Sequence, residues 1–429
     1  MGFCNGFFLI ALCALGFSDF GFGKNACWTV LNYIEADNNV FQYGLQNIRT
    51  MQRVGSTEEV TVLTQLDVPN SNETLRYKLS KGGICQDDTL PQEMGINPET
   101  ELSQSIIWAQ TKYPSDRFML ILWNHGNGIL DEPAEQKKKQ WEKRKRISHT
   151  RGILYDFSNN TFLDNQGLDR ALSNVVAQNN GKKIDVIGMD ACLMAMIEVG
   201  YQIKDYARFF VASQNVEDVP GWGYHSFLSE LTQNPTIRPK ALAQAAVNAF
   251  ETINLYNSNF TQSAVNLNKL DPLKNDVNTI VDLIGEYKKM KPRRTEKAIL
   301  EARDASPQFY RGNYIDLYSF YKNLLWSLKS KKDRKNKCLK QSHHQRIRLA
   351  LRDALKGAMK NIRKTVVLCK NGRSCAEAQG ISIYYPLRDI HPSYALTKFA
   401  VDTKWLDFIS EYKVKSLRRK IKIMDRKKK

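Results

Sequence analysis

Four short apolar runs set the rhythm of the chain: Trp28–Ile34 (WTVLNYI), Val60–Asp67 (VTVLTQLD), Phe118–Trp123 (FMLILW) and Ile184–Asp190 (IDVIGMD). Each is continuous rather than alternating, rich in β-branched or aromatic residues, and too short for a helix of ordinary length. That pattern predicts strands buried on both faces. Between them the pattern predicts a polar hairpin around Tyr77–Cys85, a helix over 98–112 opened by Pro98 and Glu99, and a helix near 165–179. The apolar stretch 191–207 predicts a further helix, followed by a short strand at Phe209–Ser213. Strands alternating with helices imply a largely parallel sheet covered on both faces. From 237 to 362 the pattern is mainly helical, with one strand-like interruption near 263–269 and a late strand at Gly380–Pro386. No internal repeat is evident.

Composition then narrows the class. The chain has 429 residues, 42% hydrophobic and 25% charged, a globular composition. The formal net charge of +19 raises nucleic acid as a partner. Its distribution argues against that. Segments 137–151, 329–340 and 413–429 carry +7, +6 and +9, so everything else is near neutral at −3. The positive charge belongs to loops and a basic tail rather than to a folded recognition face. The first 23 residues read as an export signal: Phe7–Phe17 is apolar but too short to span a bilayer, and Gly21-Phe22-Gly23 offers a small-x-small cleavage site. The expected location is therefore secreted or periplasmic, although the signal lacks a basic start. No later apolar run approaches the ~20 residues of a transmembrane helix.

Candidate chemistry collects at two strand ends. In open α/β sheets, sites form beyond the carboxyl ends of parallel strands. His125 lies past the end of the 118–123 strand and Cys192 past the end of the 184–190 strand. A thiol becomes a nucleophile when a base takes its proton, and imidazole is the usual partner. At the start of the 191–207 helix, the helix N-terminus would lower the thiol's pKa further. The Gly126 and Cys192 N–H groups are candidates for an oxyanion hole. Taken singly, a His-Gly turn and a packed cysteine are ordinary structural features; it is their pairing that points to catalysis.

The surrounding blocks are specific. WTVLNYIEADNN (28–39), YPSDRFMLILWNHGNG (113–128), RGILYD (151–156), IDVIGMDACLMAMIE (184–198), ASQNVEDVPGWGY (212–224), YIDLY (314–318), GISIYYP (380–386) and WLDF (405–408) together resemble the clostripain family of cysteine peptidases, over roughly 28–412. The resemblance implies a caspase-like fold, with a catalytic core over 24–236 and a mainly helical C-terminal subdomain over 237–412. It also implies a His125–Cys192 dyad with no required third residue, and cleavage after Arg or Lys. A basic P1 side chain (the substrate residue before the cut) would meet Asp190 in the S1 pocket, the site that receives it. A second acid, Asp218 or Glu217, would lie in a loop whose ending, Pro220-Gly221-Trp222-Gly223-Tyr224, departs from the family's usual order. The insertion at 131–151, with Lys139, Lys143, Arg144, Lys145, Arg146 and Arg151, then becomes an activation loop. Cutting there would leave two chains.

Other features carry less. His343-His344 lacks partners at zinc spacing. Cys369 and Cys375 bracket a turn that a disulfide could close, with Cys27–Cys85 a weaker pairing. No cofactor is expected, but some relatives require calcium, and Asp37-Asn38-Asn39 could contribute to a site, without any EF-hand-type loop. Two other readings stand beside the peptidase: a latent family member acting as a binding protein, and a binder using the basic tail.

Overall fold

The computed structural model describes residues 25–131, 152–328 and 342–426. The export signal and the processing residues Lys139, Lys143, Arg144, Lys145, Arg146 and Arg151 lie outside them.

Chain order gives β1 (Ala26–Glu35), β2 (Val60–Asp67), β3 (Thr74–Ser80), β4 (Gly83–Leu90) and β5 (Ser115–Trp123). Then follow β6 (Ile153–Asp156), β7 (Thr161–Leu163), β8 (Ile184–Asp190), β9 (Ala207–Ala212) and β10 (Thr261–Asn266). The last four are β11 (Gln308–Phe309), β12 (Tyr314–Asp316), β13 (Val366–Asn371) and β14 (Ser382–Tyr384). Nine strands form one sheet in the order β13-β10-β9-β8-β5-β1-β2-β3-β4. Its centre, from β9 to β2, is parallel, and both margins are antiparallel.

Successive residues of the central strands feed opposite layers, because side chains alternate across a sheet. Phe118, Leu120 and Leu122 of β5 join the core beneath helices 98–112, 165–178 and 197–203, continuous with the C-terminal helices. Met119, Ile121 and Trp123 join the other core, under helices 41–52, 224–233 and 239–253. These strands are buried on both faces, so their sequence shows no polar alternation to read.

Two elements differ from the sequence pattern. The 191–207 stretch is helical only over Ile197–Ile203. Its first residues spend their backbone groups elsewhere: Leu193 N–H donates to Asn215 O and Ala195 N–H to Ser213 O, while Ala195 O accepts from Ser382 N–H. Those tertiary bonds replace the i→i−4 ladder. The C-terminal part is also less purely helical than expected. β13 pairs antiparallel with β10 in the main sheet, and β11, β12 and β14 form a small sheet of their own.

The stretch expected as a basic tail forms a helix over Val414–Arg426, which buries Val414 and Leu417 and pairs Arg418 with Asp304. An amphipathic spacing of apolar residues within the charge run makes this docking possible. Neither cysteine pairing forms. Cys27, Cys85, Cys369 and Cys375 are all free, Cys27 being buried and Cys85 exposed. Among the described residues no helix is long and apolar enough to cross a membrane.

Candidate active site

β5 and β8 run parallel with Trp123 opposite Asp190, and Asn124 N–H donates to Asp190 O just beyond that rung. His125 and Cys192 each follow the rung by two residues, on strands ~4.8 Å apart. Gly126 makes the approach possible: a Cβ there would lie 2.6 Å from Cys192 O and 3.0 Å from both the Ala191 Cβ and the Met194 Sδ. Leu193, with φ 68°, turns the chain away directly after the cysteine. His125, Gly126 and Cys192 line one open cleft of about 650 Å³, walled by Phe157, Asn215, Phe309 and Arg311 among others.

The imidazole is positioned from two sides. Its Nε2 lies 2.9 Å from Asn39 Oδ1, and Phe157 stacks on the ring at 6.4 Å. With the Asn39 oxygen as acceptor, Nε2 carries the hydrogen and Nδ1 keeps its lone pair. Burial pushes the His125 pKa down, so the ring is a neutral base at neutral pH. The sequence offers Asn39 only within the Asp37-Asn38-Asn39 run, as a candidate contributor to a calcium site, and not as a partner of the histidine. The signal available was the amide run at a strand end; what it faces is set by the fold.

The thiol differs from expectation. The helix that follows begins only at Ile197, so Cys192 does not sit at its N-terminus. Burial, followed by the charges of Asp190 and Asp218, pushes its pKa up, opposed by the Glu217 N–H, which donates to Sγ at 3.4 Å. The resting thiol is protonated, and Sγ in turn contacts Glu217 O at 3.7 Å.

Beneath the cysteine lies an acid pair. Asp190 is buried, its Oδ2 accepting from Trp222 N–H (3.1 Å) and the Tyr224 hydroxyl (2.7 Å). Of the two loop acids left open by the sequence, Glu217 joins it. The Glu217 carboxyl accepts from Gln262 at 3.3 Å, and its second oxygen is buried without a hydrogen-bond partner. Asp218 instead points outward, bonded to Asn257. Burial pushes Asp190 up to about 6. Burial and the neighbouring Asp190 raise Glu217 well above the carboxylate range. Gly221, at φ 88°, presses its backbone onto Asp190, leaving no room for a side chain. In this state the acids lie behind the 217–224 segment rather than on the cleft wall.

A family model matches residues 32–412 and is that of the clostripain family. The chain belongs to that family. Clostripain from Hathewaya histolytica is 24% identical over 239 residues, which is 48% of this chain and 43% of that protein, so the match spans less than half of the relative's length. Two solved structures share the fold. One is a secreted C11 cysteine protease from Bacteroides thetaiotaomicron bound to an irreversible peptide inhibitor, with TM-score 0.62, 17% identity, 89% of this chain and 99% of the other. The second is an inactive zymogen C11 protease from Parabacteroides distasonis, with TM-score 0.60, 19% identity and the same coverages. The caspase-like arrangement expected from the sequence is thus the fold of the family.

Proposed function

We propose that this protein is an exported cysteine endopeptidase that cuts after Arg or Lys, with Cys192 as nucleophile and His125 as base. The observation that carries the reading is the β5–β8 register, which sets both residues two positions beyond one rung and at one cleft. His125 takes the Cys192 proton and the thiolate attacks the scissile carbonyl carbon. The developing oxyanion is met by the Gly126 and Cys192 N–H groups. Collapse transfers the proton from the imidazolium to the leaving amine and leaves an acyl-enzyme, which water hydrolyses with His125 again as base.

The Asp190–Glu217 pair supports the preference for a basic side chain. Its hydrogen-bond partners, Trp222 N–H, the Tyr224 hydroxyl and the Gln262 amide, are all neutral, so an entering guanidinium or ammonium supplies the missing cation. For entry the 217–224 segment must shift, which also frees Cys192 Sγ from the Glu217 backbone. That closed arrangement supports a latent precursor, as in the relative crystallised as a zymogen. Cutting between Lys137 and Arg151, in the 131–151 insertion between the histidine and cysteine strands, would activate it. The test is labelling by a thiol-reactive peptidyl-arginine probe together with hydrolysis of arginyl and lysyl peptides. Cys192→Ala and His125→Ala should each remain folded and lose turnover by several orders of magnitude. Retained turnover in folded Cys192→Ala removes the assignment. A folded, mature wild type that neither labels nor cleaves favours the binding-protein reading.

A further inference from the structure

The cleft that holds His125 and Cys192 has a second wall, which recognition of a basic P1 side chain does not use. The turn between β11 and β12 builds it, with Phe309, Tyr310 and Arg311 lining the cleft. Tyr310 and Arg311 adopt left-handed backbone at φ 46° and 55°, and Gly312 follows at φ 79°. Residues with a side chain populate that region sparsely, so the surroundings must hold the turn in it.

Arg303 does the holding. Its guanidinium, wholly buried, donates to Gly312 O, to Tyr385 O at 3.0 Å and to Gln308 Oε1 at 3.2 Å. Asn313 N–H donates to Tyr310 O at 3.0 Å. Tyr310 stacks on Tyr314 at 5.2 Å, and the Tyr314 hydroxyl donates to Asn127 O at 2.6 Å, two residues past His125. The turn is therefore fixed to the loop that carries the imidazole, and it presents Arg311 at the cleft with its side chain exposed.

Charge and direction give that placement a meaning. Among the described residues lining the cleft, Arg311 is the one with a permanent charge, and no Asp, Glu or Lys joins it there. A planar guanidinium on a fixed turn pairs best with a carboxylate. The 217–224 segment, which covers Asp190 and Glu217, is rooted through Trp222 and Tyr224 in the core on one face of the main sheet. Phe309 belongs to the core on the other face, with Tyr310 packed against it. A peptide lying extended across the cleft sends successive side chains to opposite sides. With P1 directed behind the 217–224 segment, its two neighbours face the Arg311 wall: P2, the residue before P1, and P1′, the residue after the cut. The basic insertion, which self-maturation would cut, favours the first of these. Glu142 is the one acid between Lys137 and Arg151 and directly precedes Lys143, whereas no Lys or Arg in that stretch is followed by an acid.

We infer that Arg311 selects substrates with Asp or Glu at P2 beside the basic P1 residue, and rejects a basic residue at P2. This selection rests on the peptidase reading above and adds a second subsite to it.

The experiment uses the mature enzyme and internally quenched peptides with Arg at P1 and Gln, Glu or Lys at P2, with a second set varying P1′. The readout is the ratio of kcat/KM between peptides within one protein, so a general loss of activity in a variant cancels. Wild type should favour Glu over Gln at P2 by about five- to tenfold, the worth of one hydrogen-bonded charge pair, and should disfavour Lys. The ratio should shrink with added NaCl, because the pair is exposed. Arg311→Gln should bring it near one, Arg311→Glu should invert it in favour of Lys, and Arg311→Lys should keep a Glu preference. Equal rates for Glu and Gln at P2 in wild type overturn the inference. So does a Glu preference that survives in folded Arg311→Gln, the variant that decides if Arg311→Glu fails to fold. A Glu preference confined to P1′ overturns the assignment to P2. Failure of the peptidase reading looks different: no arginyl peptide is then cut, and the inference falls with it.

Discussion

A single pair of neighbouring residues, Glu217 and Asp218, shows how much one backbone step decides. Glu217 turns inward to Asp190, whereas Asp218 turns outward to Asn257. Because the inward pair is buried, the pocket is fully anionic only above the pKa values of both acids, with Asp190 near 6 and Glu217 raised further. The kcat/KM for an arginyl peptide should therefore rise with pH through that range, since protonated acids cannot balance a guanidinium. Glu217→Gln removes the acid that burial and Asp190 raise furthest and leaves only the Asp190 step near 6, so the acid limb should move to lower pH. Asp190→Asn should cost roughly 2–5 kcal/mol of transition-state stabilisation for arginyl substrates. Both outcomes are read from pH–rate profiles of the mature enzyme, and an unmoved limb in Glu217→Gln would dissociate that acid from the pocket.

At the scale of elements, the short helix 197–203 is tied to the C-terminal part by one buried carboxyl. Glu198 Oε1 accepts from Tyr384 N–H at 2.8 Å and from the Tyr394 hydroxyl at 3.0 Å. Burial pushes its pKa up from the ordinary 4.5 to about 7. The folded protein thus binds this proton more tightly than the unfolded chain does. The resulting stability is fully present below about 4.5 and is lost as pH rises through about 7. Glu198→Gln keeps an acceptor for both donors without the charge. Chemical denaturation at pH 5 and 8 should show a wild-type loss on the order of 2–3 kcal/mol that the variant lacks. Equal pH slopes would assign the loss to other groups.

The molecule is built around one nine-stranded sheet that sets both candidate catalytic residues just beyond the ends of adjacent strands, with the basic insertion between them in sequence. A cut between Lys137 and Arg151 would separate β1–β5 from β8 in the chain but not in space, because β5 and β8 are paired between the same two helical layers. Active protein should therefore run as two pieces under denaturing conditions and as one species in native gel filtration. In Cys192→Ala the chain should stay whole in the absence of another protease. Mass spectrometry of both proteins decides this. Fully active, uncut wild type or identical cutting in Cys192→Ala refutes self-maturation.

Much of the central sheet was legible because local sequence suffices for it. Runs such as FMLILW have few other ways to bury every residue, and the ends of β5 and β8 place His125 and Cys192 at once. The hairpin after β2 and the helices at 98–112 and 165–178 follow from turn residues and spacing in the same way. Three features required the tertiary structure. The residues after Cys192 have helical composition, yet their N–H and C=O groups are taken by Ser213, Asn215 and Ser382, so the helix starts late and leaves the thiol without its dipole. Asn39 reaches His125 from 86 positions away, and no local pattern records that distance. Glu35, Asp37, Asp67, Glu93 and Asp156, at strand ends and connecting loops, are dispersed in sequence. Packing alone brings them into one buried cluster, because parallel strands bring distant chain segments to a common edge. Sequence by itself determined which residues line up along each strand. The ring's partners, the acid that faces inward and the concentration of negative charge were decided by long-range contacts that only the folded chain makes.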